Sequence, residues 1–121
     1  MKKILIIDDD EHLREDLLDI LSFEGYNAIG AENGHEGFLC AQAVLPDLIL
    51  CDVMMPVMNG FEMLAMLRQH PQMTSIPVIF LSAQSEQSFV QNGMRLGATA
   101  YIPKPYTAQE LLTAIQTHIS D

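Results

Sequence analysis

The sequence predicts an α/β domain, a doubly wound three-layer sandwich built on five parallel strands, each followed by a helix. Three observations lead there. Short apolar runs alternate along the chain with longer amphipathic stretches. The strongest runs are continuously apolar rather than alternating, as strands covered on both faces must be. The length, 121 residues, suits one such domain and leaves no room for a second of ordinary size. Right-handed crossovers then distribute the helices over both faces of the sheet.

Each element has its own signal. Lys3 to Ile7 reads as the first strand, and Glu11 to Phe23 as a helix with Leu13, Leu17, Leu18, Ile20 and Leu21 on one period, stopped by Gly25. Tyr26 to Gly30 is a weaker strand. Asn33 caps a helix over Gly34 to Val44, and Leu48 to Cys51 is the third strand. The turn-prone segment Pro56 to Gly60 leads into a helix near Phe61 to Gln69. Pro77 opens the strand Val78 to Leu81. Glu86 to Leu96 is a poor helix, with Gly93 inside it at about 1 kcal/mol relative to Ala. Ala100 to Ile102 is a short strand. Thr107 to Ile119 is the last helix, and Thr107 and Glu110 form its capping box.

Composition narrows the function. Lys and Arg number 6 against 16 Asp and Glu, a formal charge of −10, and the six cations are scattered. Such a chain is repelled by nucleic acid and by anionic membranes. Its longest apolar runs are about four residues, against roughly 20 for a membrane span. Lys2 and Lys3 precede only a four-residue apolar run and three aspartates, which is no signal peptide. The expectation is a cytoplasmic domain with no direct nucleic-acid or membrane partner. Cys40 and Cys51 lie among apolar residues and suit buried thiols in a reducing compartment; their spacing gives a disulfide no support.

Chemistry is expected where ligands bind in doubly wound folds, outside the carboxyl ends of the strands. Asp8, Asp9 and Asp10 follow the first strand, Asp52 the third, Ser82 the fourth and Lys104 the fifth. Polar strand ends are ordinary. Carboxylates gathered from two different strands are not, because they repel and raise each other's pKa. A hard divalent cation resolves the conflict: Asp8, Asp9 and Asp52 sum to −3, and Mg²⁺ with Lys104 sums to +3. A pocket balanced in this way accepts a phosphoryl group.

Four segments in order, Ile6-Ile7-Asp8-Asp9, Asp52 to Gly60, Leu81-Ser82-Ala83 and Ala100 to Tyr106, resemble the receiver domain of two-component response regulators. The resemblance runs the length of the chain. It implies a flavodoxin-like sheet of order 2-1-3-4-5. It implies that Asp52 is the phosphoacceptor, taking the phosphoryl group of a phosphohistidine on a sensor histidine kinase or phosphotransfer protein. Asp9 is then the direct acidic ligand of Mg²⁺ (or Mn²⁺), Asp8 its neighbour acting through water, and the Met54 backbone carbonyl a further ligand. Asp10, one acid more than the pair needs, reads as the cap of the first helix. Ser82 and the Ala83 backbone N–H would bind phosphoryl oxygens, Lys104 would pair with the group, and Tyr101 would be the switch aromatic. Met54 and Gln84 occupy the positions that set the lifetime of the phosphorylated state in the family, where the bond matching Lys104-Pro105 is cis, which the sequence alone does not show.

On this reading the domain is a signalling module, not an enzyme. It promotes only its own phosphorylation and dephosphorylation, and it acts on an unknown downstream protein through the face formed by its fourth helix, fifth strand and last helix, as a monomer or a phosphorylation-dependent dimer. It stands alone or belongs to a larger response regulator or hybrid kinase. A haloacid-dehalogenase-type phosphatase needs a general acid two residues after its nucleophile, where this chain has Met54. A flavodoxin-like nucleotide binder needs a phosphate loop where this chain has three aspartates. Six of the eight methionines fall between Met54 and Met73; a copper site through Met55 and Met58 is conceivable, but packing explains them better. His12, His35, His70 and His118 sit among polar neighbours and are expected to face solvent.

Overall fold

Why the carboxyl ends converge follows from strand order and register. The computed structural model describes residues 1–83 and 87–119. Its elements are β1 (Lys3–Ile7), α1 (Glu11–Phe23), β2 (Asn27–Ala31), α2 (Gly34–Val44), β3 (Leu48–Asp52), α3 (Gly60–Arg68), β4 (Val78–Ser82), α4 (Gln87–Arg95), β5 (Ala100–Pro103) and α5 (Ala108–His118). The five strands pair in parallel in the order β2-β1-β3-β4-β5, as expected. In the register, Ile7 lies beside Cys51, Asp52 beside Leu81, and Ser82 beside Pro103. Asp8, Asp52, Ser82 and Lys104 therefore leave the sheet along a single edge.

The continuous apolar strands do what the pattern requires, because alternate residues feed two cores. Ile4, Ile6, Leu48, Leu50, Ile79, Leu81 and Ile102 meet Leu17 and Leu21 of α1 and Leu111 and Ile115 of α5. Leu5, Ile7, Ile49, Cys51, Val78 and Phe80 meet Phe38 and Ala41 of α2 and Met63, Leu64 and Leu67 of α3. Ile4, Leu5, Ile6 and Ile7 are all buried, so past Lys3 neither face of β1 meets solvent.

Several boundaries differ from expectation, each for a local reason. Strand β2 starts at Asn27 rather than Tyr26. The Tyr26 N–H is taken by the Leu21 carbonyl at the end of α1, and Asn27 is the first residue in register with β1. Helix α3 starts at Gly60, because Asn59 and Glu62 form a reciprocal capping box there. Strands β3, β4 and β5 each run one residue further, to Asp52, Ser82 and Pro103. A 3₁₀ turn over Pro71–Met73, unpredicted, joins α3 to β4. His70, expected in solvent, stacks edge-on against Phe38 with centroids 5.0 Å apart, and its Nδ1 lies 3.0 Å from the Met66 carbonyl.

Two glycines have specific steric roles. Gly93 looked like a weakness of α4. A Cβ there would lie 2.9 Å from Phe61 Cε1, so its absence lets α4 approach α3 and the sheet. A Cβ on Gly60 would lie 2.5 Å from the Asp52 backbone oxygen and 2.9 Å from Phe80. The start of α3 is thereby held directly against the end of β3, and the Gly60 N–H closes the loop onto the Val53 carbonyl at 2.9 Å. Gly60→Ala is expected to cost on the order of 1–3 kcal/mol, as overpacking does. The check is a urea melt followed by circular dichroism; an unchanged midpoint would mean that the loop yields freely.

Candidate functional site

The acidic pocket is assembled from backbone outward. After Ile7, the Asp8 N–H continues the ladder to the Ala31 carbonyl at 3.1 Å, which fixes Asp8 at the sheet edge. The Asp10 N–H then donates to Asp8 Oδ1 at 2.9 Å, and Asp10 Oδ1 accepts from the Leu13 N–H at 3.2 Å, capping α1. Asp10 is thus the cap, and Asp8 and Asp9 are the pair left for the pocket. One oxygen each from Asp8, Asp9 and Asp52 lies within 4.8 Å of the others. Asp8 is 2% exposed, whereas Asp9 is open to solvent.

Lys104 enters from the end of β5, where its N–H donates to the Ser82 carbonyl at 2.8 Å and its bond to Pro105 is cis. Its Nζ lies 3.7 Å from Asp52 Oδ2 and 3.9 Å from Asp8 Oδ2. Burial pushes the Asp8 carboxyl above its ordinary range, and the neighbouring charges of Asp52 and Asp9 add to the rise. The Asp10 amide and Lys104 oppose it. Burial likewise raises Asp52, against Lys104 and the backbone N–H groups of Val53 and Met54, which face its carboxylate. The donors are all oxygen, the charge is uncompensated, and Asp8 Oδ2 is buried with no hydrogen-bond partner. That set fits a hard divalent cation and gives a soft metal nothing to prefer.

Ser82 is buried at the end of β4 and is hydrogen-bonded to the Tyr101 hydroxyl. Tyr101 is half-buried, edge-on to Phe80 with centroids 6.2 Å apart. Burial raises its pKa; the Ser82 bond lowers it and Asp52 raises it further. The two residues expected to switch are therefore in contact with each other. Ala83, just after β4, is exposed, and Met54, two residues past Asp52, is 60% exposed. Gln84 lies outside the described residues. Between Met54 and α3 the chain folds through a three-residue γ-turn. The Met58 N–H bonds the Pro56 carbonyl at 2.8 Å around Val57 at φ 72°, a strained setting for a β-branched residue.

Arg14, one of the cations that looked scattered in the sequence, joins Lys104 at this edge. Arg14 Nη1 donates to the Asp8 carbonyl at 2.7 Å. The guanidinium reaches it along β2, where a Cβ on Gly30 would lie 3.2 Å from Arg14 Cδ. The sequence signal was weak: Arg14 sits one helical turn past Asp10, so it belongs to the turn of α1 that faces the acidic loop.

The family model for the response regulator receiver domain matches residues 4–116. This chain belongs to that family. Receiver domains of known structure superpose closely. The Vibrio cholerae chemotaxis protein CheY4 matches with a TM-score of 0.94 at 33% identity, over 98% of this chain and 99% of that one. The receiver domain of a Syntrophus aciditrophicus signal transduction histidine kinase matches with a TM-score of 0.89 at 32% identity, over 97% and 89%. Among curated relatives, the transcriptional regulatory protein CpxR of Escherichia coli K12 is 40% identical over 116 residues, 96% of this chain and 48% of CpxR. PhoB of Pseudomonas aeruginosa, a phosphate regulon transcriptional regulatory protein, is 35% identical over 95% of this chain and 50% of its own. The receiver thus spans about half the length of the curated relatives it matches. Among the described residues no helix is long and apolar enough to cross a membrane.

The raised Asp8 pKa gives a sign for stability. A carboxyl whose folded pKa exceeds its unfolded value destabilises the fold above the folded pKa and not below the unfolded one. Asp8→Asn keeps the acceptor for the Asp10 N–H and removes the buried charge. In metal-free buffer at pH 7 it is expected to raise stability by on the order of 1 kcal/mol. The gain should shrink as the pH falls through the raised Asp8 pKa, because the parent carboxyl is then already neutral. Paired thermal melts at several pH values measure this; a less stable variant at pH 7 would contradict it.

Proposed function

We propose that Asp52 accepts a phosphoryl group from a phosphohistidine on a sensor histidine kinase or phosphotransfer protein, and that residues 1–121 act as one receiver unit. The observation that carries this reading is one ammonium, Lys104, facing the Asp8 and Asp52 carboxylates at 3.9 and 3.7 Å, within an all-oxygen group of three acids. Asp8, Asp9, Asp52 and the Met54 carbonyl would hold Mg²⁺ or Mn²⁺, which supplies the positive charge an incoming phosphoryl group needs. A carboxylate oxygen of Asp52 attacks phosphorus. The new O–P bond forms as the P–N bond breaks, and the electron pair leaves on the imidazole nitrogen. Lys104 then pairs with a phosphoryl oxygen instead of sharing itself between two carboxylates, and the Ala83 N–H and Ser82 hydroxyl receive the others.

The switch follows from the bond between Ser82 and Tyr101. A hydroxyl drawn to the phosphoryl group leaves Tyr101 to repack, so the ligand favours one of two packed arrangements of β5 and α4. That change on the α4-β5-α5 face is the message passed to a partner. The product stays on the protein and is lost to water, so the module signals rather than turns over a substrate. A phosphatase reading is disfavoured, because the side chain two residues past Asp52 is the exposed thioether of Met54, with no proton to give. Two free cysteines, one of them fully buried, suit a reducing compartment such as the cytoplasm.

Two measurements test the assignment. Asp52→Asn should remain folded and gain no acid-labile phosphoryl group from acetyl phosphate in Mg²⁺, judged by intact mass; a labelled variant overturns the reading. The bulk of Met54 beside the acceptor should shield it from attacking water. The phosphorylated parent should therefore decay slowly, and Met54→Asn should decay several-fold faster. A parent that loses its label within seconds, or a slower variant, refutes the shielding argument.

A further inference from the structure

Both backbone polar groups of Asp8 are taken, one of them by a side chain from another element. The N–H donates to the Ala31 carbonyl of β2 at 3.1 Å. The carbonyl accepts from Arg14 Nη1 of α1 at 2.7 Å. That carbonyl belongs to the planar peptide joining Asp8 to Asp9, so whatever holds it also sets the direction in which Asp9 leaves the chain. Asp9 needs such a hold, because among the described residues its carboxylate makes no hydrogen bond or ion pair. Arg14 lines a cleft of about 330 Å³ with Glu32 and Glu36, yet its guanidinium forms no ion pair with either and goes to the carbonyl instead. The stem of Arg14 crosses Gly30 of β2, where a Cβ would lie 3.2 Å from Arg14 Cδ and 3.4 Å from Cγ. The Gly30 φ is not in the left-handed region, so its backbone does not require glycine. Glycine weakens a strand interior and often marks a close approach; here the approach is that of Arg14.

We infer that Arg14, seated on Gly30, is a positioning residue of the acidic pocket: its bond to the Asp8 carbonyl fixes the Asp8–Asp9 peptide and so aims both acids at a divalent cation. The inference rests on the proposed role of Asp8, Asp9 and Asp52. Losing a partner that orients metal-ligating groups typically weakens binding about 10- to 100-fold. The sign of the effect separates positioning from charge. A guanidinium beside an acidic pocket repels Mg²⁺, so by Coulomb's law alone its removal would tighten Mg²⁺ binding. A positioning role requires the opposite.

The test uses Mg²⁺ alone as the probe, followed by amide NMR shifts at constant ionic strength, with thermal melts of the metal-free proteins alongside. Arg14→Met keeps the stem and removes donor and charge; it should weaken Mg²⁺ binding about tenfold. Gly30→Val keeps the cation but displaces its stem. It should weaken binding in the parent and add nothing in the Arg14→Met background, since the two changes act on one bond. Leu21→Val, a fully buried change on the same helix that touches no polar atom, should lower stability and leave Mg²⁺ affinity unchanged. Equal or tighter Mg²⁺ binding in Arg14→Met overturns the inference and leaves the phosphoacceptor reading standing. A Gly30→Val effect that persists in the Arg14→Met background overturns it too, as does equal weakening in Leu21→Val, because the cause would then be packing. A parent that shows no Mg²⁺-dependent shifts around Asp8, Asp9 and Asp52 defeats the proposed function, and this inference with it.

Discussion

Asp8 and Asp52 are held close together, largely out of water, around a single ammonium. At about 5 Å and an effective dielectric near 20, two such charges repel by roughly 3 kcal/mol. Attraction to Lys104 at 3.7 and 3.9 Å offsets part of this, but its single charge is shared between Asp52 and Asp8, with Asp9 adding a third carboxylate to the group. Nothing local could impose the arrangement. It is carried by hydrophobic burial at a distance: β1 and β3 are adjacent in the sheet and packed on both faces, so their carboxyl ends cannot separate without opening two cores. The core stores an electrostatic mismatch that a divalent cation and a phosphoryl group together would relieve.

The surrounding details serve that constraint. Backbone bonds from Asp8 to Ala31 and from Gly60 to Val53 pin the two acid-bearing loops. Arg14 clamps the first loop through the Asp8 carbonyl, using a donor rather than a second ion pair. It therefore fixes position without neutralising the charge the site depends on. Gly60 and Gly93 let α3 and α4 approach closely enough to keep the far face of the sheet dry. The bond between Ser82 and Tyr101 links the pocket to the outer surface of β5, so a change of charge has a route to a change of shape.

What was legible in the sequence divides along a physical line. Strands β1, β3 and β4 announced themselves through continuous apolar runs, and strand ends carrying Asp8, Asp52, Ser82 and Lys104 then named the pocket, because parallel topology alone brings those ends together. The split between Asp8 and Asp9 as pocket acids and Asp10 as cap was also readable, since a helix must begin there. Features that depend on which side chain faces which across elements were not. Arg14 could be seen only as a scattered cation until α1 was placed beside β2. Gly93 read as a flaw in α4 because its value lies in Phe61, 32 residues earlier. His70 read as solvent-facing because its partner Phe38 belongs to another helix. The first residues of β2 and of α3 were misplaced by one, where a single backbone bond from Tyr26 to Leu21 and the Asn59–Glu62 capping box decide the boundary.

We propose a chemical distinction: of the three carboxylates gathered at this edge, Asp52 alone takes the phosphoryl group. Its most direct test is to phosphorylate the protein with acetyl phosphate in Mg²⁺, reduce it with borohydride, which converts an aspartyl phosphate to homoserine, and map the product by peptide mass spectrometry. Homoserine at position 52, with Asp8, Asp9 and Ser82 unmodified, is the predicted result. Homoserine at position 8 or 9, a phosphoryl group retained on Ser82, or no conversion of a protein that carries the label would contradict it.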